Sequence, residues 1–443
     1  MRAVLDGTPP SASPSLVRAI GRWGLTAMVV NGVIGSAVYG LPSELSRMLG
    51  ARSIWAYVAA AVGTGAVMAC FAEVGSQFPE AGGPYVYARA AFGRFVGIQT
   101  GWLNWLIRLT SAAANANVFV VYFAQFFPSA GGGWMRAGVL AALLGVLAAI
   151  NLRGVKMGAG VNTGLAAAKL APLAIFAVAG LALARGAGPA GVTQLLAPGG
   201  PGWNTWLNAI LLLVFAFGGF ETALYSMSEA RDTRRDVPFA LFAGLAVVFV
   251  IYTAIQVVVY RALGDANTSQ APLAEAARIF WGPAGTAFMS VGALLSVYGN
   301  LSSSLLNGPR LTYALAERGD FPAFFAAVGK RYRTPYVSIV VYALFVFGLS
   351  LFGTFRWNAV LAAVGRLFTY AFVCVGLLVL RRQRQRAEAY RLPAAWLWCG
   401  IGMVFLLGAA LRIDRGNWIV ILATAAVALG NWIWARRRAE AAQ

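Results

Sequence analysis

The chain has 443 residues, 59% of them hydrophobic and 11% charged, with a net charge of +20. That balance excludes an ordinary soluble domain and points to a chain that crosses a membrane many times. The positive charge does not point to nucleic acid, because the basic residues lie in short loops and no folded basic domain is left to carry such a partner.

The N-terminal tail, residues 1–20, sets Pro9, Pro10 and Pro14 among Ser and Gly and reads as disordered, without a signal-peptide pattern. Twelve stretches long enough to cross a bilayer follow, at roughly 20 residues each. They are residues 22–48, 53–77, 95–127, 134–152, 158–184, 204–228, 238–262, 277–306, 335–354, 357–380, 394–412 and 416–435. The third and eighth exceed the bilayer thickness, which implies tilt or extension beyond it. The expected fold is an all-α membrane protein of twelve transmembrane helices.

Basic residues gather in alternate loops. Arg231, Arg234 and Arg235 form one group; Arg310, Arg318, Lys330, Arg331 and Arg333 another. Arg381, Arg382, Arg384, Arg386 and Arg391 follow, then Arg436, Arg437 and Arg438. This positive-inside pattern places both termini, including a short tail at 437–443, in the cytoplasm. The 310–334 segment reads as basic, partly amphipathic and cytoplasmic. The Phe78–Tyr87 connection, broken by two prolines and two glycines, reads as a structural or gating element.

Two apolar stretches are interrupted where a spanning helix should be continuous. The first is broken by Val33-Ile34-Gly35-Ser36-Ala37, the sixth by Phe217-Gly218-Gly219-Phe220-Glu221. Gly lowers helix propensity and Ser bonds to local backbone. Backbone groups freed at membrane depth must be buried in protein or line a cavity. Paired breaks in two halves are the mark of a secondary transporter with its site at the midplane. Stretches one to five (residues 21–185) overlay on six to ten (203–381). Five is odd, so the halves insert in opposite senses: a 5+5 inverted repeat of the LeuT type, with helices 1 and 6 discontinuous. The last two stretches (393–436) are then peripheral.

At the first break, Ser36 and the N–H groups of Ala37 and Val38 would open a half-helix, whose partial positive charge suits a carboxylate. The bland alternative is a kink that eases packing. At the sixth, the carbonyls of Phe215, Ala216 and Gly218 lose helical partners and favour an ammonium. Phe217 or Phe220 could cover a substrate, or simply pack in the core. Glu221 is a carboxylate deep in a span and needs a partner there; it is either a proton-linked gate or a hydrogen-bonding brace of the unwound segment.

Of the three lysines, only Lys169 lies mid-span. Its ammonium needs acceptors, which the broken-helix carbonyls and the hydroxyls of Ser302, Ser303 or Ser304 can supply. Arg108 and Arg366 are also deep and each must pair; they either attract an anionic group or pin helices together. Cys70, Cys374 and Cys399 read as small buried hydrophobes, with no metal spacing. There is no His, and no nucleophile–base pair, so an intramembrane enzyme is not supported. No cofactor is expected. A transporter-like receptor or sensor is the alternative outside transport; no soluble signalling domain is expected from the sequence, which counts against it.

Several motifs together resemble the amino acid–polyamine–organocation (APC) permeases. They are Gly35-Ser36 followed by Tyr39-Gly40-Leu41-Pro42; Glu73-Val74-Gly75-Ser76-Gln77-Phe78-Pro79-Glu80-Ala81-Gly82-Gly83-Pro84-Tyr85; Phe217-Gly218-Gly219-Phe220-Glu221-Thr222 with Glu229 and Arg234-Arg235-Asp236-Val237-Pro238; and Gly308-Pro309-Arg310-Leu311-Thr312-Tyr313-Ala314-Leu315-Ala316. One departure is Ala37, where the family has a third-position Gly; its methyl narrows the site. The resemblance implies an amino acid permease of the plasma membrane working by alternating access. It implies an α-carboxylate at Ser36 and Ala37, with Gly35 among the substrate-binding residues, and an α-ammonium at the sixth-break carbonyls with that of Val33. It also implies that Lys169 stands in place of a sodium ion, so transport is expected to be sodium-independent and proton-coupled, with exchange as the alternative. No carboxylate besides Glu221 is placed to receive a cationic side chain, which favours neutral amino acids. The loop Pro128–Trp134 has no Cys, so no disulfide-linked heavy chain is expected as a partner.

Overall fold

The computed structural model describes residues 20–78, 83–154, 159–183, 200–264, 268–383 and 389–441. The tail at 1–19, Pro79–Gly82 of the second motif, Arg384 and Arg386 lie outside the described residues, as do the side chains of Glu229 and Arg438.

Fourteen α-helices are present among the described residues: α1 Arg22–Val33, α2 Ala37–Leu49, α3 Ser53–Ser76, α4 Pro84–Phe92, α5 Arg94–Phe123, α6 Gly133–Arg153, α7 Ala159–Leu183, α8 Trp203–Phe217, α9 Thr233–Leu263, α10 Pro272–Glu317, α11 Tyr336–Phe352, α12 Phe355–Arg382, α13 Ala395–Ala410 and α14 Arg415–Ala441. Among the described residues, eight helical segments are long and apolar enough to cross a membrane, and three shorter apolar helices accompany them. The helical architecture follows from the solvent, since a helix satisfies its own backbone where lipid cannot.

The first expected span is two helices. α1 ends at Val33 and α2 begins at Ala37, with Ile34 extended at ψ 99°. The sixth is likewise divided: α8 stops at Phe217 and residues Phe220–Glu229 continue as a 3-10 helix. The eighth stretch differs from its expected bounds. α10 is kinked at Gly282, where φ is +62°, so a short helix from Pro272 precedes the long one. Gly tolerates that φ and Pro283 cannot donate to the preceding turn, so the kink is local in origin.

Two sets of helices pack among themselves. In one, α1 lies on α9, α3 on α8 and α9, and α2 on α8 and α9; in the other, α5 lies on α10 and α11, and α6 on α11. α7 bridges the sets through α9 and α10, and α12 bridges through α8, α3 and α5. Gly292 in α10 lets Pro172 of α7 approach, where a Cβ would meet the ring at 2.8 Å. α13 packs on α3 and α14 on α5, with Val404, Leu407, Ile419 and Leu422 left facing outward. Exposed Trp134, Trp203 and Trp396 sit near helix starts, the position of aromatic belts.

At the basic-loop end, buried Asp320 accepts from Tyr85, Arg89 and Arg94, the last at 2.7 Å. Buried Glu73 takes Arg381 by both oxygens, at 2.8 and 2.6 Å. These carboxylates tie α3, α4 and α5 to the chain after α10 and to the end of α12.

A candidate substrate site between two broken helices

The two breaks face each other. Gly32 and Gly219 bring their backbones so close that a Cβ on Gly32 would meet the Gly219 oxygen at 2.7 Å, and one on Gly219 the Gly32 oxygen at 2.4 Å. Gly219 also has φ +107°, a conformation that other residues adopt only under strain. Glycine here permits contact between main chains.

Each carbonyl freed at the end of α1 needs a donor. Lys169 Nζ, on α7, donates to Asn31 O at 2.7 Å and Ile34 O at 3.0 Å. Tyr252 of α9 donates to Val33 O at 3.1 Å. Lys169 is 2% exposed, so its charge is held by backbone dipoles. Its acceptors are the broken-helix carbonyls of the sequence expectation; its described hydrogen bonds do not include the hydroxyls of Ser302, Ser303 or Ser304. Ser303 instead accepts from Asn307 at 3.3 Å.

The N–H of Ser36 donates to Asn115 Oδ1 of α5 at 3.0 Å. Asn115 Nδ2 donates to Asn300 Oδ1 of α10 at 3.3 Å, and Asn300 Nδ2 reaches Ile34 O at 3.5 Å. Two asparagines thus brace the break from the other helix set. The Ala37 and Val38 amides begin α2, where no turn of helix precedes them.

The sixth break is held differently. Glu221 accepts from Gly219 N at 2.8 Å, Tyr370 OH at 2.9 Å and Arg366 Nε at 3.2 Å. Arg366 and Tyr370 both come from α12. The Phe215 carbonyl is not freed as expected, since Gly218 N donates to it at 3.2 Å. Arg366 also lies over the Phe215 ring, 5.8 Å from its centre, and donates to Ser111 Oγ at 3.4 Å.

Between these groups lies a central cavity of about 70 Å³. Of the residues expected at the site, Val33, Gly35, Ser36, Ala37, Phe215, Gly218, Glu221, Ser304, Arg108 and Arg366 line it. Val38, Ala216, Phe217 and Phe220 are buried but are not among the lining residues. Phe217 packs its ring against Tyr57 and Tyr252, and Phe220 against Phe71 and Tyr370. The aromatic among the cavity's lining residues is Phe215. Sequence reasoning also missed Asn104, Ser111, Asn115 and Asn300, all lining residues.

A vestibule of about 370 Å³ at the basic-loop end shares Gly32, Arg108, Thr222, Asn300 and Ser304 with the cavity, and holds Ser303 and Arg310 further out. A second vestibule, of about 740 Å³, opens at the opposite end and shares no lining residue with it. The Phe215 and Phe355 rings, 6.2 Å apart, stand between that vestibule and the cavity. The cavity therefore adjoins the vestibule at one end, and a pair of aromatic rings lies toward the other.

A polar cavity between unwound helices in an all-helical, membrane-spanning protein is the form of a small-molecule transporter. A profile of the amino acid permease family matches residues 20–430. The chain belongs to that family, within the APC superfamily. It is 24% identical over 400 residues to a methylthioribose transporter of Bacillus subtilis, covering 86% of each chain. It is 27% identical over 418 residues to a serine/threonine exchanger of the same organism, covering 90% of this chain and 92% of the other. An uncharacterized transporter of Mycobacterium tuberculosis is 27% identical over 390 residues, covering 86% of this chain and 84% of that one. Family and relatives are transporters, not enzymes, and the multi-pass membrane setting follows.

Proposed function

We propose that this permease carries an α-amino acid by alternating access, with twelve spans in a 5+5 inverted repeat and two peripheral helices. The observation that carries the reading is the pair of facing breaks, each held by one charged side chain from the fifth helix of its half: Lys169 for the first, Arg366 through Glu221 for the sixth. That correspondence is what a five-helix repeat would produce. The domain limits expected from sequence, 21–185, 203–381 and 393–436, suit it, as do cytoplasmic termini in a plasma membrane.

The substrate's α-carboxylate would take the Ala37 and Val38 amides with Ser36 Oγ, and its ammonium the carbonyls of Gly218 and its neighbours. Val33 is the weaker acceptor because Tyr252 already uses its carbonyl. Lys169, donating to two carbonyls of the first break, stands where a coupling cation would brace α1. Transport would then be sodium-independent, with a proton as the coupling ion. Glu221 reads as a brace of the unwound segment, since its oxygens accept from three donors. The small cavity suits a short side chain, and the likeness to a serine/threonine exchanger supports exchange as the second reading.

Uptake by purified protein in liposomes, in sodium-free buffer with and without a proton gradient, tests this. We expect saturable uptake without sodium, and loss of competition when the α-carboxylate is esterified or the α-amine acylated. A strict sodium requirement, or equal competition by esters, would overturn the assignment. Counterflow that persists without a proton gradient would favour exchange.

A further inference from the structure

The central cavity holds more hydrogen-bond donors than the single carboxylate of a neutral amino acid needs. Among the described residues, Asn104 Nδ2, Arg366 Nη1 and Ser36 Oγ are all buried without a hydrogen-bond partner, on residues that line it. Asn104 and Arg366 are 4% and 5% exposed. Buried donors are ordinarily satisfied, so a cluster of them on one cavity calls for acceptors supplied by the molecule it binds.

Charge points the same way. Arg108 and Arg366 line the cavity against one carboxylate, Glu221, whose oxygens already accept from Arg366, Tyr370 and Gly219. The larger vestibule is lined by Arg47, Arg136, Arg278 and Arg356 against Glu44 and Glu275. The smaller is lined by Arg108 and Arg310, with no carboxylate among its lining residues. A path that is positive at both approaches and at its centre concentrates anions and repels cations.

We propose that the transported amino acid bears a second carboxylate on a short side chain, received by Asn104 Nδ2 and Arg366 Nη1. This rests on the amino acid reading above and replaces the neutral side chain expected from sequence. The α-carboxylate keeps its place at the start of α2, and the guanidinium of Arg366 turns one edge to Glu221 and the other to the substrate. A cationic side chain has no acceptor of opposite charge left.

The test uses the full-length protein in sodium-free liposomes, with labelled L-aspartate, L-glutamate and L-serine, and with succinate as a dicarboxylate lacking the ammonium. Binding of the same ligands in detergent gives a readout independent of transport. An acidic amino acid should show a KM at least about tenfold below that of serine, the value of one charge-assisted hydrogen bond. Succinate should compete weakly. Asn104→Ala removes a donor that has no hydrogen-bond partner among the described residues, so the fold should persist; it should raise KM about tenfold for the acidic substrate and by a clearly smaller factor for serine. Serine uptake unaffected by aspartate or glutamate would overturn the proposal and leave the amino acid reading intact. Failure of every α-amino acid to bind would overturn both. Succinate binding as tightly as aspartate would refute the dependence on an ammonium. An equal loss for serine and aspartate in Asn104→Ala would refute the placement of the side-chain carboxylate.

Discussion

The two breaks solve one problem with different chemistry. At the first, a cation donates straight to two backbone carbonyls, Asn31 O and Ile34 O, and no carboxylate intervenes. At the sixth, a carboxylate accepts from the backbone at Gly219 and from α12 through Arg366 and Tyr370. The second arrangement is neutral as a pair and fixed by three hydrogen bonds. The first leaves a whole charge balanced only by dipoles. A buried ion pair with good geometry is costly to break and slow to rearrange. A lone ammonium on a flexible stem can exchange one carbonyl for another as helices move. The first break is therefore the better candidate for the moving part, and the sixth for the fixed one.

Removing Lys169 should have the largest effect. Lys169→Ala takes from Asn31 O its side-chain donor and leaves Ile34 O with only the 3.5 Å contact from Asn300; an unsatisfied buried carbonyl costs about 1–3 kcal/mol, and transport should fall about 100-fold or more. Lys169→Arg should restore little, because a planar guanidinium is larger and cannot take the same compact position between Asn31 and Ile34. Liposome uptake, normalised to inserted protein, measures both. Normal transport by Lys169→Ala would remove the distinction between the two breaks.

The sixth break should respond as a unit. Arg366→Ala leaves Glu221 buried and uncompensated, a loss of about 3–5 kcal/mol. Adding Glu221→Gln to Arg366→Ala should recover much of that stability, because the stranded charge is gone while an amide oxygen still accepts from Gly219 N. Thermal unfolding in detergent for the two singles and the double variant reads the coupling. If Arg366→Ala and Glu221→Gln simply add, the two groups do not share one network and the brace is not what fixes this segment.

Much of this frame was legible in the sequence. The glycines at both breaks announced the discontinuities, and one lysine in a long apolar stretch announced Lys169. The helices keep close to the apolar stretches because hydrophobic length is set by the solvent. What was missed follows from phase. Asn104, Arg108, Ser111 and Asn115 recur at helical spacing along α5, and Asn300 and Ser304 along α10. Read at that period, they form polar stripes facing inward, whereas the sequence reading singled out only Arg108 and Ser304 among them. Phe215 was overlooked as the lining aromatic for a related reason. It lies within α8, two residues before Phe217 and so on nearly the opposite face. Beyond Gly218 and Gly219 the helical phase is lost, so sequence spacing cannot say where Phe220 points. The Trp281-Gly282-Pro283 run was a visible stop signal inside the eighth stretch, passed over because hydropathy continued through it.

The finest test of the contrast concerns the asparagine pair. Asn115 and Asn300 belong to α5 and α10, the helix set opposite α1, and they hold the first break by neutral hydrogen bonds at 3.0, 3.3 and 3.5 Å. Such bonds are individually worth about 0.5–1.5 kcal/mol. They are weak enough to open and close during a transport cycle. Asn115→Ala frees the Ser36 amide to water or substrate, and should lower stability by only about 1 kcal/mol. Its kinetic signature should be larger than its thermodynamic one, because the bond lies between the moving break and the opposite helix set. We therefore expect an altered maximal rate with a nearly unchanged melting temperature. Asn300→Ala, which removes the longer contacts, should do the same to a smaller degree. A drop in melting temperature with an unchanged rate would place these asparagines among the fixed contacts, and the first break would then be braced as firmly as the sixth.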